Sequence, residues 1–259
     1  MKKSELKSLL DTYVDYFNRR SFIVSDPIQV PHSFSKREDI EIAAFITATL
    51  AWGQRPVMIK NAFSLLESMP DGPYQFLKEA DDDTFNYFMN FKHRTFNGID
   101  CIFFLKSLQN IYFYHGGLKT VFENGYRQTG NIPGAIMHFR NTFFSIPFPQ
   151  RTLKHVADVE KNAAGKRINM FLRWMVRKDD KGVDFGLWNI PSSALYIPLD
   201  LHSGKISREL GILKRKQNDW KAVRELTFRL REFDPDDPVK YDFALFGLSA
   251  LGKNYNHGE

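Results

Sequence analysis

The spacing of hydrophobic residues along the chain is that of amphipathic helices. Near the N-terminus, apolar residues recur every three or four positions and form one stripe: Leu6, Leu9, Leu10, Tyr13, Val14 and Phe17. A similar stripe comprises Trp220, Val223, Leu226, Thr227, Leu230 and Phe233. Residues 40–52 are apolar on nearly every side, which predicts a central, buried helix that ends at Gly53. Ser35 and Glu38 predict a capping box at its start.

Shorter segments with the same spacing follow, separated by glycine and proline. They predict helices at 57–69, 74–80, 84–90, 99–114, 118–126, 133–144, 201–210, 219–232 and 238–251. Residues 155–177 are predicted to form two helices joined by a tight turn near Gly165, and residues 178–198 a loop. No segment alternates hydrophobic and polar residues as a β-strand does. The predicted fold class is therefore all-α.

Composition narrows the classes of protein that the chain can belong to. Hydrophobic residues make up 43% and charged residues 25%, which is typical of globular proteins rather than disordered or fibrous ones. The single cysteine, Cys101, excludes an internal disulfide, a thiolate zinc site and an iron–sulfur cluster. No apolar run approaches the roughly 18 residues of a membrane span, and the N-terminus lacks the apolar stretch of a signal peptide. We expect a cytoplasmic monomer that does not contact a membrane.

The positive charge is concentrated in one part of the chain. The formal net charge is +6. Residues 201–231 contain nine lysines and arginines against three acids, so this stretch accounts for the whole surplus. A local excess of this kind permits a polyanionic partner such as a nucleic acid.

Three segments in the C-terminal half carry residues suited to chemistry. The sequence AAGKRINMFLRWM places Lys166 at the start of a helix, and IPLDLHSGKISRELGIL places Asp200 and His202 at the start of another. The third segment, YDFALFGLSALG, is an apolar helix that follows an acidic turn. Each has an ordinary explanation when taken alone, since an aspartate before a helix is usually an N-cap and a lysine in a first turn is usually solvated.

Taken in order, the three segments resemble the helix-hairpin-helix DNA glycosylase superfamily, which includes endonuclease III and the 8-oxoguanine glycosylases. The helix AAFITATLAWGQRP is also similar to a helix of that superfamily that leads into a DNA-contacting loop. The resemblance covers most of residues 36–60 and 160–252. It is nearest to the archaeal 8-oxoguanine glycosylases, without an iron–sulfur cluster.

The resemblance implies a DNA repair N-glycosylase with AP lyase activity that excises an oxidised purine, such as 8-oxoguanine, from double-stranded DNA. It implies that Lys166 is the Schiff-base nucleophile and that Asp200 stabilises the charge on the sugar, with no metal and no cofactor. The loop that enters the duplex corresponds to Gly53, Gln54 and Arg55. Further expected DNA contacts are Gly165, His202, Lys205, Arg208, Lys214, Arg215 and Lys216. Candidate walls of a base pocket are Trp52, Phe91, Phe185 and Trp188.

The expected architecture is two helical subdomains with a catalytic cleft between them. One comprises residues 1–34 and 195–259, and the other comprises residues 35–194 and carries the hairpin near 160–170. The chain departs from the superfamily pattern at this hairpin, where Asn162-Ala163-Ala164-Gly165 contains one glycine.

Several alternatives stay open at this point. The protein could be a non-catalytic DNA-binding member of the same fold, or a helical protein–protein adaptor. The basic and aromatic run at 91–96 could stack on a base or tie two helices together.

Overall fold

The computed structural model describes residues 2–255, with side chains described as far as residue 250. The α-helices are α1 (Lys3–Phe17), α2 (Arg20–Ile23), α3 (Arg37–Leu50), α4 (Arg55–Glu67), α5 (Pro73–Glu79), α6 (Asp82–Asn86), α7 (Gly98–Tyr114), α8 (Gly117–Thr129), α9 (Ile132–Phe143), α10 (Lys166–Val176), α11 (Leu201–Glu209), α12 (Trp220–Arg231) and α13 (Tyr241–Tyr255). Among the described residues, no helix is both long enough and apolar enough to cross a membrane.

A single small hairpin interrupts the helices within residues 2–255. Strands β1 (Lys92–His93) and β2 (Phe96–Asn97) pair antiparallel. The other described residues form helices, turns and loops, which confirms the all-α prediction. Strands of two residues are too short to show an alternating pattern, and for this reason the hairpin was not predicted.

The chain divides into two compact units. The terminal unit comprises the residues up to Val24, Lys161–Gly186 and the residues from Ile190 onward, and the central unit comprises Ser25–Glu160 with Leu187–Asn189. This division differs from the expected one, because the turn near 160–170 groups with both ends of the chain.

The core of the central unit is built on α3. Residues 39–50 of this helix are all buried, as the uninterrupted apolar segment predicted. The ring of Phe45 packs against the rings of Phe104, Phe139 and Phe143, with centroids 5.8, 5.3 and 5.5 Å away. Much of the large phenylalanine content therefore serves aromatic packing between α3, α7 and α9.

In the terminal unit, α1 and α13 pack against each other. Leu10 and Val14 of α1 are buried, and Phe17 meets Phe246 edge to face at 6.0 Å. The Tyr241 hydroxyl donates a hydrogen bond to Asp11 Oδ1 at 3.0 Å. The two ends of the chain are thereby held together in one core.

A cluster of buried ion pairs joins the end of α10 to the segment that follows it and to the start of α13. Arg177 Nη1 donates to Asp184 Oδ2 at 2.9 Å, and its Nε donates to Asp237 Oδ2 at 2.8 Å. Arg173, one turn earlier, donates to Asp184 and Asp242. Burial alone would lower the pKa of Arg177, but Asp184 and Asp237 raise it well above its ordinary value. The segment predicted only as a loop is therefore fixed at its start by buried ion pairs.

Two local predictions are wrong. The N-cap of α3 is Lys36 rather than Ser35, and no side chain caps this helix end. The helix expected between 155 and 164 is absent, since a 3-10 helix ends at His155 and residues 156–165 form no helix. The 3-10 helix is held by Asp100, whose buried carboxylate accepts a hydrogen bond from Thr152 Oγ1 at 2.8 Å and lies 3.3 Å from His155 Nε2. These tertiary contacts fix the chain at the residue where the predicted helix was expected to begin.

Candidate active site

Lys166 is placed by a turn with two left-handed residues. It is the first residue of α10, and Gly165 before it has φ +63°. Asn162 also lies in the left-handed region, with φ +66°. Glycine adopts this conformation without strain, and asparagine is one of the few other residues that tolerate it. The chain thus turns sharply twice before the lysine, although it contains only one glycine there.

Asp200 is the N-cap of α11. Its Oδ1 accepts hydrogen bonds from the backbone N–H groups of His202 at 2.8 Å and Ser203 at 2.9 Å. The Ser203 hydroxyl oxygen in turn accepts from the Asp200 N–H at 2.9 Å, which completes a capping box. The ordinary explanation of this aspartate is therefore correct for one of its two carboxylate oxygens.

The other oxygen of Asp200 faces Lys166. The distance from Lys166 Nζ to Asp200 Oδ2 is 3.9 Å. The two side chains are 31% and 38% exposed, so an incoming molecule can reach both. An amine and a carboxylate that are distant in the sequence are thus adjacent in one unit and open to solvent.

A turn at 214–219 is bonded to the residues before Lys166. Asp219 Oδ2 accepts a hydrogen bond from Asn162 Nδ2 at 2.9 Å, and the Trp220 N–H donates to the Asn162 carbonyl oxygen at 3.1 Å. Arg215 pairs with Asp219 through two nitrogens, with Nε 2.7 Å from Oδ1. These bonds from Arg215 hold the pKa of Asp219 well below its ordinary value.

The same turn is bonded to Asp200. Asn218 Nδ2 donates to the Asp200 carbonyl oxygen at 2.8 Å. Arg208 donates from Nη2 to Asn218 Oδ1 at 2.6 Å and from Nε to the Arg215 carbonyl oxygen at 2.8 Å. The guanidinium groups of the half-buried Arg208 and Arg215 therefore donate hydrogen bonds to protein acceptors, whereas the sequence had predicted DNA contacts for them. The asparagine-aspartate pair before the stripe of α12 is an N-cap signal that could have indicated part of this role.

The other residues of the terminal unit that were expected to contact DNA lie at its surface. The exception is Gly165, which is buried in the turn before α10. The exposed residues among them are His202, Lys205, Lys214 and Lys216. Lys205 has an exposed partner in Glu209 at 3.7 Å, a pair worth little in water. Lys214 is held by its backbone, since its N–H donates to Glu225 Oε1 at 2.6 Å and leaves the ammonium outside.

The loop expected to enter the duplex belongs to the central unit. Gly53 and Gln54 are exposed, and Arg55 begins α4. The Arg94 guanidinium, at the tip of the hairpin, lies over the half-buried ring of Trp52 at 5.0 Å. Arg94 was not among the predicted site residues.

The basic run at 91–96 has a structural role through its histidine. His93 is buried, and its two ring nitrogens lie 3.1 Å from the Trp52 carbonyl oxygen and 2.9 Å from Asn61 Nδ2. It ties the 52–55 loop to α4, in keeping with one of the two explanations left open. Lys92, Arg94 and Thr95 remain exposed.

The four aromatic candidates for a base pocket are not equivalent. Trp188 is fully buried, stacks on Phe122 at 5.2 Å and donates from Nε1 to Glu41 Oε1 at 3.0 Å. It is a core residue, so its assignment to a pocket is wrong. Trp52 and Phe91 of the central unit and Phe185 of the terminal unit are half-buried.

No arrangement for a metal ion is present among the described residues, where no group of three or more histidine, cysteine or acidic side chains has suitable geometry. Cys101 is buried, and burial raises the pKa of its thiol far above the ordinary value.

No curated protein and no solved structure matches the chain. A family model described as a protein of unknown function (DUF2400) matches residues 26–251, which include Lys166, Asp200 and the 214–219 turn. Because this match spans well over half of the sequence, the chain belongs to the DUF2400 family.

Proposed function

We propose that this protein is a DNA N-glycosylase with AP lyase activity, which excises an oxidised purine such as 8-oxoguanine through a Schiff base on Lys166. The observation that carries the proposal is the 3.9 Å distance between Lys166 Nζ and Asp200 Oδ2, with both side chains accessible. The resemblance of these segments to the helix-hairpin-helix glycosylases supplies the reaction class and the expectation of a cleft between two helical subdomains.

The chemistry begins with attack of the Lys166 amine on C1′ of the damaged nucleotide. The bond from C1′ to the base breaks, its electron pair leaves with the base, and the base takes a proton from solvent. The new Nζ–C1′ bond becomes a Schiff base when the sugar ring opens and the ring oxygen takes the proton that the amine gives up. Removal of a C2′ proton then expels the 3′-phosphate and cleaves the strand.

Asp200 serves this sequence of steps as an accessible negative charge. A carboxylate beside the sugar stabilises the positive charge that develops at C1′ as the base leaves. A lysine must lose a proton before it attacks, and the Asp200 carboxylate, 3.9 Å away, can accept that proton once the two groups approach to hydrogen-bond distance or through one bridging water. Its Oδ2 is free for this role because capping of α11 uses Oδ1.

The partner that this site requires is a duplex with one nucleotide turned out of the stack. A base inside the helix cannot be reached by the amine, and a damaged or mispaired base is the least costly to extrude. Exposed lysines in the same unit, Lys205, Lys214 and Lys216, are suited to phosphate contacts on the strand that carries it.

The test is borohydride trapping on a labelled duplex with a single 8-oxoguanine and on a second duplex with an abasic site. Borohydride reduces a Schiff base to a stable amine, so the wild-type protein should form a covalent complex with both. Lys166→Gln should form none. The matched control is Lys221→Gln, which removes an exposed lysine of the same unit and should trap like the wild type.

Three other outcomes would contradict the proposal. Salt-dependent binding of both duplexes without any trapping would indicate a non-catalytic DNA-binding protein. Absence of binding even at low salt would favour a helical protein–protein adaptor. Trapping by Lys166→Gln at the wild-type level would place the nucleophile elsewhere.

A further inference from the structure

The 214–219 turn contacts the chain on either side of the candidate active site. We infer that Asn218 and Asp219, held by Arg208 and Arg215, are positioning residues that set the separation of Lys166 and Asp200. This inference rests on the proposed function and extends it to residues that do not touch the substrate. It also gives Arg208 and Arg215 a role in holding the turn in place of the DNA contacts expected from the sequence.

The first contact is made by Asp219 and fixes the turn that precedes Lys166. Asp219 receives the Asn162 side chain at 2.9 Å, and the backbone carbonyl of Asn162 receives the Trp220 N–H at 3.1 Å. Asn162 therefore has both its main chain and its side chain fixed by the start of α12. Since Asn162 adopts a left-handed conformation, these bonds also hold a backbone geometry that few residues favour.

The second contact is made by Asn218 and fixes the main chain of Asp200. Asn218 donates to the Asp200 carbonyl oxygen at 2.8 Å, while the Asp200 side chain is fixed by its own cap. The turn approaches α11 very closely at this point. A Cβ placed on Gly204 would lie 2.7 Å from Asn218 Oδ1, so a larger residue at this position would displace the Asn218 side chain.

The two contacts arise from consecutive residues and cannot move independently. Arg208 joins them, because its guanidinium donates both to Asn218 Oδ1 and to the Arg215 carbonyl oxygen. Arg215 in turn pairs with Asp219 through two nitrogens. An unbroken series of hydrogen bonds therefore connects Asn162 with the Asp200 carbonyl, and a shift at either end is transmitted to the other.

The alternation of side chains along the turn separates two roles. Lys214 and Lys216 are exposed, whereas Arg215 between them is half-buried against Asp219. Substitution of the lysines should change DNA affinity, and substitution of Arg215 should change the reaction instead. This contrast distinguishes a positioning role from a phosphate contact.

The test compares Asn218→Ala, Asp219→Asn and Arg215→Gln with the wild type and with Gln217→Ala, an exposed neighbour in the same turn. Two quantities are measured on the duplex with 8-oxoguanine: the single-turnover rate of Schiff-base formation at saturating DNA, and the Kd. We expect the rate to fall on the order of tenfold or more in the three variants, because small misplacements of reacting groups have large effects on rate. Their Kd should stay close to the wild-type value, and Gln217→Ala should match the wild type in both.

A second readout does not depend on activity. The rate at which Lys166 reacts with an amine-acylating reagent is followed by mass spectrometry over a range of pH. In Asn218→Ala and Asp219→Asn, the pH profile of this reaction should shift toward that of Asp200→Asn, because the carboxylate no longer stays beside the amine. Gln217→Ala should leave the profile unchanged, and a merely structural defect elsewhere in the fold would not move it.

Failure of the inference can be told apart from failure of the proposed function. If the wild type traps and Arg215→Gln weakens binding while the rate at saturation is kept, Arg215 is a phosphate contact and the inference is overturned. It is also overturned if the labelling profile of Lys166 is unchanged in both turn variants. If the wild type does not trap, the proposed function fails, and the labelling profiles still decide whether the turn positions the pair.

Discussion

The two oxygens of the Asp200 carboxylate have different partners. Oδ1 caps α11 through the N–H groups of His202 and Ser203, and Oδ2 faces Lys166. A residue that only caps a helix can be replaced by asparagine with little effect, since asparagine and aspartate are equally good caps. A residue that also supplies a negative charge cannot be replaced by asparagine without losing that charge. The chemical and structural contributions of this one side chain are therefore separable.

Asp200→Asn should keep the stability of the protein and lose most of its activity. The free energy of unfolding, measured with urea, should stay within about 0.5 kcal/mol of the wild type, whereas Asp200→Ala should lose about 1 kcal/mol with the cap. The single-turnover rate should fall by roughly 100-fold in both variants. An asparagine variant that excises at the wild-type rate would show that the charge of Asp200 has no role.

The residues of the site differ in how far the sequence could identify them. Lys166 and Asp200 stand in segments whose residue types resemble a known motif, so both could be singled out. Asn218 bonds a backbone carbonyl, and such a bond leaves no characteristic spacing in the sequence. Arg215 looks like any surface arginine until its pairing with Asp219 is seen.

Among the helices, the sequence predicted those with a one-sided apolar stripe. α1 and α12 were found within a few residues because their stripes face a core in the expected way. The segment 155–164 was predicted to be a helix, whereas the chain at its start forms a 3-10 helix whose Thr152 and His155 contact the buried carboxylate of Asp100. Tertiary contacts of a buried carboxylate are invisible to a local pattern.

Removal of one partner from the buried ion pairs at the end of α10 should be among the most destabilising single changes in the protein. Arg177→Met removes the guanidinium from Asp179, Asp184 and Asp237 and leaves three carboxylates without this partner. Breaking a buried pair in this way costs about 3–5 kcal/mol. Lys178→Met, at the exposed neighbouring position, should change the free energy of unfolding by less than about 0.5 kcal/mol. Equal unfolding midpoints in urea for the two variants would contradict the account.

For the whole molecule, the location of the positive charge is more informative than its amount. The surplus lies within 201–231, but Arg208 and Arg215 in this stretch donate hydrogen bonds to protein acceptors. The basic residues of this stretch that are exposed to a polyanion are Lys205, Lys214, Lys216, Lys221, Arg224 and Arg229.

Charge reversal at Lys214 and Lys216 should weaken DNA binding and flatten its dependence on salt. Removing one phosphate contact reduces the slope of log K against log salt by about 0.9, so the slope of the double variant to glutamate should fall by up to about 2. The double variant to arginine keeps the charge and serves as the control. A slope equal to that of the wild type in the glutamate variant would exclude these lysines from the DNA surface.

Acid should destabilise the protein partly through Asp219. Hydrogen bonds from Arg215 lower the pKa of this carboxyl in the folded state below its unfolded value of about 3.9. The stabilisation is complete above that value and is lost as the pH falls through the folded-state pKa. The drop in unfolding free energy between pH 6 and pH 3 should be smaller in Asp219→Asn than in the wild type. Asp180→Asn, at an exposed position, should behave like the wild type, and an equal drop in all three proteins would contradict the prediction.

The most direct measurement is the identification of the lysine that becomes attached to DNA. The complex trapped by borohydride on a duplex with 8-oxoguanine would be digested with protease and nuclease, and the modified peptide would be sequenced by mass spectrometry. We expect a single sugar-derived adduct on Lys166. An adduct on another lysine, or the absence of any adduct under conditions in which the duplex is bound, would contradict it.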